Sequence, residues 1–265
     1  MEHVLCSIEG ETAYIRLNRP NVMNALNTEM LKELCCCLKE VSRNDNVDIV
    51  VLSGSGSVFS AGGDIKEMLS PMNEVQFQSV MDTISDIALY FYSMPKLTIA
   101  AIHGAAAGLG LSIALAADFI LCETDSKLAM NFIGIGLIPD GGGHFMLENR
   151  IGAVKAKKVI WDGKVMSGVE AAEMGLVDRS VTPGTVQKEV EYLRKELQQK
   201  PIQAMIKTKK IMADLNRPQL LKTLELEKQG QSKMHKSHDH QEGIKAFLEK
   251  RKPVFNRKIK DAFSD

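Results

Sequence analysis

Residues 101–143 read AIHGAAAGLGLSIALAADFILCETDSKLAMNFIGIGLIPDGGG, and this stretch decides the fold. Its pattern predicts an apolar strand over 97–102, a small-residue turn over 104–110 and an apolar helix over 111–117. A second glycine turn over 139–143 carries a single acid, Asp140. A strand that enters a glycine turn and then a helix directs backbone N–H groups at a ligand. We therefore expect the reaction centre in this stretch, with Asp140 as its base.

Strands and helices also alternate on both sides of this stretch. Before it, the periodicity predicts helices after Asn27 and Asp64 and over 75–93, and strands over 4–10, 12–17, 48–53 and 58–59. A further strand is predicted within it, over 126–130, and after it come a strand over 176–181 and helices over 153–161, 167–174, 185–199, 201–214, 217–234 and 240–251. This order is typical of an α/β fold.

The composition limits the possible functions. Of 265 residues, 33 are basic and 33 are acidic, so a formal net charge of zero disfavours nucleic acid or an anionic membrane as partner. The apolar run 97–121 contains glycines, His103 and Asp118, which disfavours a membrane span. The five cysteines, three of them consecutive, make a poor zinc site or disulfide framework. We therefore expect no metal site. Because the start lacks a signal-peptide pattern, we also expect a cytoplasmic protein.

Short motifs follow one another along the chain in a characteristic order. They are LNRP with NALN (17–27), FSAGGDIKEM (59–68), HG with GLG (103–110), AAD (116–118), GLIPDGG (136–142) and a tail with EG, AF and EKR (242–251). Together they resemble the crotonase family, the enoyl-CoA hydratase/isomerase superfamily, over essentially the whole chain. The resemblance implies a spiral core of ββα repeats over 1–195 that holds an acyl-CoA site. It also implies a C-terminal helical oligomerisation region over 196–265 that forms a homotrimer or a dimer of trimers.

The resemblance implies a thioester substrate in which coenzyme A is part of the substrate, with no prosthetic group. Reactions next to a thioester pass through an enolate, whose negative oxygen needs two preorganised N–H donors. By motif position, these donors are the backbone N–H groups of Gly63 and Leu109. The coenzyme A contacts are expected from two segments and the tail, namely Asn24, Ala25, Leu26, Ser60, Ala61, Gly62, Asp64, Ile65, Lys66, Lys250 and Arg251.

One departure from the family pattern bears on the reaction. Hydratases of the family use two glutamates around one water, and the matching positions here are Ser112 and Phe132, which we expect to line the substrate pocket. Asp140 remains as the nearby acid, and family isomerases often carry an acid at this position. One base is enough for a 1,3-proton shift. The motif therefore looks like single-acid enoyl-CoA and epoxyphenylacetyl-CoA isomerases, and apolar neighbours are expected to raise the pKa of Asp140.

Other interpretations stay open. Asp140 can serve only the Pro-Asp-Gly turn, the protein can be a hydratase of fatty-acid or aromatic-acid catabolism, or it can be a non-catalytic acyl-CoA-binding member of the family. His144 and His103 are interpreted as a helix-start residue and a packed histidine. The stretch 235–240, with three histidines, is interpreted as a solvated helix end or loop. We expect residues 68–77 to shape the acyl pocket.

Overall fold

A computed structural model describes residues 2–68 and 72–256. Its strands are β1 (Val4–Glu9), β2 (Thr12–Leu17), β3 (Ile49–Gly54), β4 (Leu97–Ile102), β5 (Ala105–Ala107), β6 (Phe119–Glu123), β7 (Lys127–Ala129), β8 (Met166–Ser167) and β9 (Arg179–Val181). They form a six-stranded sheet of order β1-β2-β3-β4-β6-β9 and a three-stranded sheet of order β5-β7-β8. In the large sheet only the β1–β2 pair is antiparallel.

The helices are α1 (Thr28–Ser42), α2 (Ile65–Met68), α3 (Glu74–Ser93), α4 (Leu109–Leu115), α5 (Gly143–Asp162), α6 (Gly168–Met174), α7 (Val186–Gln198), α8 (Ile202–His235) and α9 (His238–Leu248). Short 3-10 turns lie at Pro20–Val22 and Asn131–Ile135. Among the described residues, no helix is both long and apolar enough to cross a lipid bilayer.

The central strands are buried on both faces. Alternate side chains of β3 enter different cores, because successive residues of a strand point to opposite sides. Val50 and Leu52 join the core beneath α1 and α3, whereas Ile49 and Val51 pack in the core that includes α7 residues. Strands that are covered on both faces are typical of parallel sheets enclosed by helices. This arrangement confirms the expected α/β class.

The structure corrects several predicted elements. Residues 105–107, predicted as turn, form β5, and β6 was not predicted. Residues 58–59 form no strand, and Ser60 makes only an isolated bridge to Ala106. The predicted helices over 201–214 and 217–234 are one helix, α8, with Pro218 inside it. The missing N–H of Pro218 costs one backbone hydrogen bond, while buried Leu220 and Leu224 hold the helix on the core.

The C-terminal helices pack on the same chain rather than forming a separate module. Helix α8 packs against α3 and α5, and α9 packs against the turn over 131–135. This packing places the second half of α8 beside the glycine turn over 139–143. Residues far apart in sequence therefore meet at one pocket.

Candidate active site

Two glycine loops meet at a pair of adjoining pockets. The first pocket has an empty volume of about 760 Å³ with its open mouth included, and the second about 810 Å³. Five residues line both of them, namely Gly63, Met68, Leu109, Phe132 and Leu137. The two residues expected to donate N–H groups to a thioester oxygen therefore lie at the junction of the pockets.

The backbone around Leu109 leaves its N–H available. Leu109 is the first residue of α4, so no carbonyl of the helix accepts from it. Gly108 precedes it with φ 50° and ψ −127°, a conformation essentially restricted to glycine. In the described part of the chain, neither Gly63 nor Leu109 donates to a backbone carbonyl of a turn or loop. The geometry thus leaves two amide donors at the pocket junction.

The loop over 60–64 packs against β5 so closely that no side chain fits at position 62. Gly62 has φ +91°, and a Cβ atom there would lie 2.6 Å from the carbonyl oxygen of Ala107. Ser60 Oγ donates to the carbonyl oxygen of Asn24 at 2.8 Å and accepts from the Gly62 N–H at 3.1 Å. The loop is therefore fixed by side-chain and backbone contacts on both sides.

Asn24 is a structural residue of this loop system. Its buried side-chain amide donates to the carbonyl oxygens of Ser55, Val58 and Phe59, and its oxygen accepts from the Arg19 N–H. All its side-chain hydrogen-bonding atoms are thus used inside the protein. Its backbone is engaged as well, because its N–H donates to the Arg19 carbonyl oxygen and its carbonyl oxygen accepts from Ser60.

The other residues expected to bind coenzyme A divide by location. Leu26 and Asp64 line the first pocket, and Ala61, Gly62 and Ile65 line the second. The Asp64 carboxylate is 2.9 Å from the Arg19 guanidinium and accepts from the Lys66 N–H. Three residues lie outside both pocket linings: half-buried Ala25, exposed Lys66 and fully buried Ser60.

The tail residues Lys250 and Arg251 are exposed and follow α9. The Arg251 guanidinium already contacts the carboxylates of Glu242 and Glu249. Phe247, on α9, lines the second pocket. The tail therefore reaches the edge of the second pocket, with the charge of Arg251 engaged by its own segment.

Asp140 lines the first pocket and is 7% exposed. Burial, followed by the negative charge of Glu227, raises the pKa of Asp140 to about 7. The Gln231 amide opposes this shift by donating to Asp140 Oδ2 at 2.9 Å. Oδ1 is buried and has no hydrogen-bond partner within the described part of the chain. A carboxyl group of this kind exchanges a proton readily near neutral pH.

Two residues on the far side of the turn, Glu227 and Gln231, were not predicted. Glu227 accepts from the N–H groups of Gly142 (2.8 Å) and His144 (3.0 Å), and its Oε1 lies 2.8 Å from His144 Nδ1. Glu227 and Gln231 come from α8, ninety residues beyond Asp140 in sequence. The signal that could have found them is their position on the buried stripe of α8 that includes Leu220 and Leu224.

The two positions that replace the hydratase glutamates lie differently. Phe132 lines both pockets. Ser112 is fully buried and is absent from both linings. It lies beneath the glycine turn, where a Cβ atom on Gly143 would come within 2.8 Å of its Oγ. Neither position offers a carboxylate, and Ser112, which was expected to line the substrate pocket, lines neither pocket.

The first pocket is otherwise mostly apolar, with α3 as one wall. Its apolar lining includes Leu31, Met72, Phe77, Val80, Met81 and Ile84. The expectation that residues 68–77 shape an acyl pocket agrees with Met68, Met72 and Phe77, while residues 69–71 lie outside the described residues.

The stretch 235–240 lies at helix ends as expected, but two of its three histidines are not solvated: His235 is half-buried and His240 buried, whereas His238 is exposed. His235 lines the first pocket and stacks on Phe77 with ring centroids 5.4 Å apart. His240 is buried, lies 4.9 Å from the His235 ring and contacts the Ile135 carbonyl oxygen through Nδ1. Burial lowers the pKa of both rings. Contacts with distant residues cover these two rings, which the local sequence could not reveal.

Comparison with known proteins gives consistent matches. The sequence profile of the family described as Enoyl-CoA hydratase/isomerase matches residues 7–258. YhaR of Bacillus subtilis (strain 168), named as a candidate enoyl-CoA hydratase/isomerase, is 51% identical over 96% of this chain and 99% of its own. The 1,2-epoxyphenylacetyl-CoA isomerase of Escherichia coli (strain K12) is 31% identical over 97% and 100%. The crystal structure of an enoyl-CoA hydratase from Mycobacterium avium subsp. paratuberculosis K-10 superimposes with a TM-score of 0.87, at 26% identity, covering 96% and 98%.

Proposed function

The chain belongs to the enoyl-CoA hydratase/isomerase family, and from this premise we propose that it isomerises enoyl-CoA-type thioesters by a proton shift with Asp140 as the base. The observation that carries the proposal is the buried Asp140 carboxyl, which lines the same pocket as Gly63 and Leu109 and has a pKa raised to about 7. Coenzyme A enters as part of the substrate, and the chemistry needs no prosthetic group.

The proposed reaction begins with the thioester carbonyl oxygen at the N–H groups of Gly63 and Leu109. The Asp140 carboxylate removes a proton from the carbon between the thioester and the double bond of a 3-enoyl substrate. The electron pair passes to the thioester oxygen as a dienolate, which the two N–H donors stabilise. Asp140 then delivers a proton at C4, either the abstracted one or one exchanged with solvent while it is on the carboxyl, so the double bond moves to C2–C3. No atom is gained or lost.

The absence of carboxylates at positions 112 and 132 favours this reaction over hydration. Syn hydration in the family uses two carboxylates around one water, one as base and one as acid. A proton shift uses one group that alternates between the two roles, and a pKa near 7 suits both of them. One relative, the 1,2-epoxyphenylacetyl-CoA isomerase of Escherichia coli, is named for an isomerisation rather than a hydration, which supports the proposal.

The apolar pocket and the tail complete the proposed binding mode. The acyl chain lies along α3, against residues such as Val80 and Met81. The pantetheine arm follows the loop over 61–65, and Lys250 and Arg251 approach the phosphates. We also propose a homotrimer or dimer of trimers, supported by exposed apolar side chains such as Trp161 at 66% and Leu215 at 76%.

The test is deuterium incorporation from D₂O with 3-enoyl-CoA and crotonyl-CoA. Wild type is expected to exchange at C2 or C4 and to convert 3-enoyl-CoA to 2-enoyl-CoA. Asp140→Asn is expected to lose both by at least about 100-fold. Asp82→Asn serves as the matched control, because Asp82 is an acid on α3 that pairs with Lys228 at the surface.

Three outcomes would contradict the proposal. Isomerisation that survives Asp140→Asn removes Asp140 from the reaction. Formation of 3-hydroxyacyl-CoA from crotonyl-CoA at a rate above isomerisation identifies a hydratase. Tight binding of both thioesters by the wild type, without product or exchange, identifies a non-catalytic binding protein.

A further inference from the structure

Two polar side chains of α8 are buried where the helix packs on the core. Glu227 and Gln231 are 2% and 3% exposed. They are four residues apart and therefore share one helix face, the face that carries buried Leu220 and Leu224. Polar groups at such positions cost stability unless they are hydrogen-bonded. Their contacts therefore need an explanation.

Gln231 holds one oxygen of Asp140 and the chain that leads to it. Its Nε2 donates to Asp140 Oδ2 at 2.9 Å and to the Ile138 carbonyl oxygen at 2.8 Å. The two bonds hold Oδ2 in place relative to the backbone at Ile138. Oδ1 is then the oxygen without a protein partner in the described ranges, and it is left to take the proton.

Glu227 holds the other side of the same turn. Its two carboxylate oxygens accept from the Gly142 and His144 N–H groups and contact the His144 ring. The turn that carries Asp140 is therefore clamped by α8 at both ends. The two α8 residues act on Asp140 in opposite directions, because a donated hydrogen bond favours the carboxylate and a nearby negative charge disfavours it.

We propose that Gln231 and Glu227 are positioning residues of the Asp140 base: Gln231 orients the carboxyl so that Oδ1 exchanges the proton, and Glu227 fixes the turn that carries the carboxyl. The proposal rests on the proposed function, because it assigns both residues a role through Asp140. It adds a contribution from the C-terminal helix to the chemistry of the core.

Other ionisable groups face the pocket from several elements. On α8, His235 lies one turn beyond Gln231, and on α5 His144 contacts Glu227. Across the pocket, Asp64 pairs with Arg19 and Glu67 accepts from the Thr28 N–H. The pocket-lining residues of α3 are apolar. Only Gln231 among these groups bonds to Asp140, and Glu227 is the charge that acts on it.

The experiment compares the pH dependence of kcat/KM for 3-enoyl-CoA isomerisation in the full chain. Gln231→Leu removes the donor, so the acid limb is expected to move up by about one pH unit, with kcat lowered about 10- to 100-fold and KM little changed. Gln231→Glu keeps the side-chain shape and is expected to move the limb in the same direction. Glu227→Gln removes the charge, so the limb is expected to move down by about half to one pH unit.

Matched controls lie on the same helix. Gln229 and Glu225 are exposed and bond to each other, so Gln229→Leu and Glu225→Gln are expected to leave the pH profile unchanged. Circular dichroism and melting temperature establish that each variant is folded. Infrared difference spectra of the carboxyl band, wild type against Asp140→Asn, follow the ionisation of Asp140 without relying on turnover. The Gln231 and Glu227 variants should shift that band's titration in opposite directions.

Shifts of equal sign, or no shift in either readout, would overturn the inference. Its failure is distinguishable from failure of the proposed function. If Asp140→Asn still isomerises, the base assignment fails whatever the α8 variants do. If Asp140→Asn is inactive and the α8 variants titrate like wild type, only the positioning roles fail.

Discussion

The loop over 60–64 and the turn over 139–143 border the same pocket, and both are built from glycine and small residues. They differ in whether their buried polar side-chain atoms are all hydrogen-bonded. Beside the first loop, Asn24 uses its whole amide group on four backbone partners, and Ser60 uses its hydroxyl twice. In the second, Asp140 keeps one buried oxygen without a protein partner in the described chain.

The difference separates a scaffold from a reactive group. Buried polar atoms that are fully paired stabilise a single backbone conformation. A buried carboxyl that is only partly paired destabilises its charged form, and such perturbed groups concentrate at functional sites. We therefore expect substitutions in the first region to lower stability, and substitutions at Asp140 to raise it while removing activity.

The largest expected effect on the free energy of unfolding is that of Asn24→Ala. It leaves three carbonyl oxygens and one N–H group without their partner, the Phe59 carbonyl in a buried position and the others partly buried, at about 1–3 kcal/mol for each fully buried unsatisfied group. Because these costs are not fully additive, we expect the free energy of unfolding to fall by about 4 kcal/mol. Urea denaturation at pH 7 measures it.

Two variants control this measurement. Asn24 has φ +51°, so Asn24→Gly removes the hydrogen bonds without adding backbone strain, and most of the loss should persist in it. Asn18 makes one side-chain hydrogen bond, to the Glu2 carbonyl oxygen, and Asn18→Ala is expected to cost about 1 kcal/mol. Equal losses of unfolding free energy for Asn24→Ala and Asn18→Ala would show that the hydrogen bonds of Asn24 do not stabilise the loop region as expected.

The next effect is a gain of stability in Asp140→Asn that depends on pH. The folded-state pKa of Asp140 is raised from 3.8 to about 7, so between these values the folded protein holds a proton that the unfolded chain has released. Wild-type stability therefore falls as pH rises from about 4 to 7, and the full penalty applies above 7. We expect Asp140→Asn to be more stable than wild type by roughly 2 to 4 kcal/mol at pH 8.

The difference between the two proteins is expected to shrink toward zero near pH 4. Urea denaturation of both at pH 4, 6 and 8 measures it, and groups that titrate alike in both proteins cancel in the difference. Asp82→Asn again controls for the loss of a carboxylate at the surface. A wild type that gains stability relative to Asp140→Asn between pH 5 and 8 would show that Asp140 is not a destabilised carboxyl.

Much of the fold follows from local patterns in the sequence. The apolar run over 97–102 predicts the central strand, and the capping box at Ser167 predicts the start of α6, as found. Strand β6 was missed because its residues follow directly on the apolar helix before Asp118. Apolar runs alone do not separate a buried helix from a buried strand.

The site is only partly predictable, for a related reason. Asp140 stands out locally as an acid in a glycine turn, and the resemblance to a known family names Gly63 and Leu109. Nothing near Asp140 in sequence points to Gln231, because that contact is made through α8 and depends on the tertiary fold. Likewise, His235 is polar in a polar segment, and its partial burial comes from contacts with Phe77, His240 and the pocket.

The smallest expected effect on stability is the difference between substitutions of two fully buried serines, Ser60 in the loop over 60–64 and Ser112 beneath the turn over 139–143. Ser60 Oγ makes hydrogen bonds of 2.8 and 3.1 Å, whereas Ser112 Oγ is 3.5 Å from the Gly108 carbonyl oxygen and 3.7 Å from Met130 Sδ. Hydrogen bonds weaken at such distances. We expect Ser60→Ala to lower the free energy of unfolding by about 1–2 kcal/mol and Ser112→Ala by less than about 0.5 kcal/mol.

Both substitutions remove one oxygen from a fully buried site, so the loss of packing is matched and the difference reports the hydrogen bonds. Denaturation of the two variants in parallel measures it. If Ser112→Ala costs as much as Ser60→Ala, the region around the Asp140 turn is as tightly paired as the loop over 60–64. The unpaired oxygen of Asp140 would then be an isolated feature of one side chain, rather than part of a region whose side-chain hydroxyl bonds are also weak.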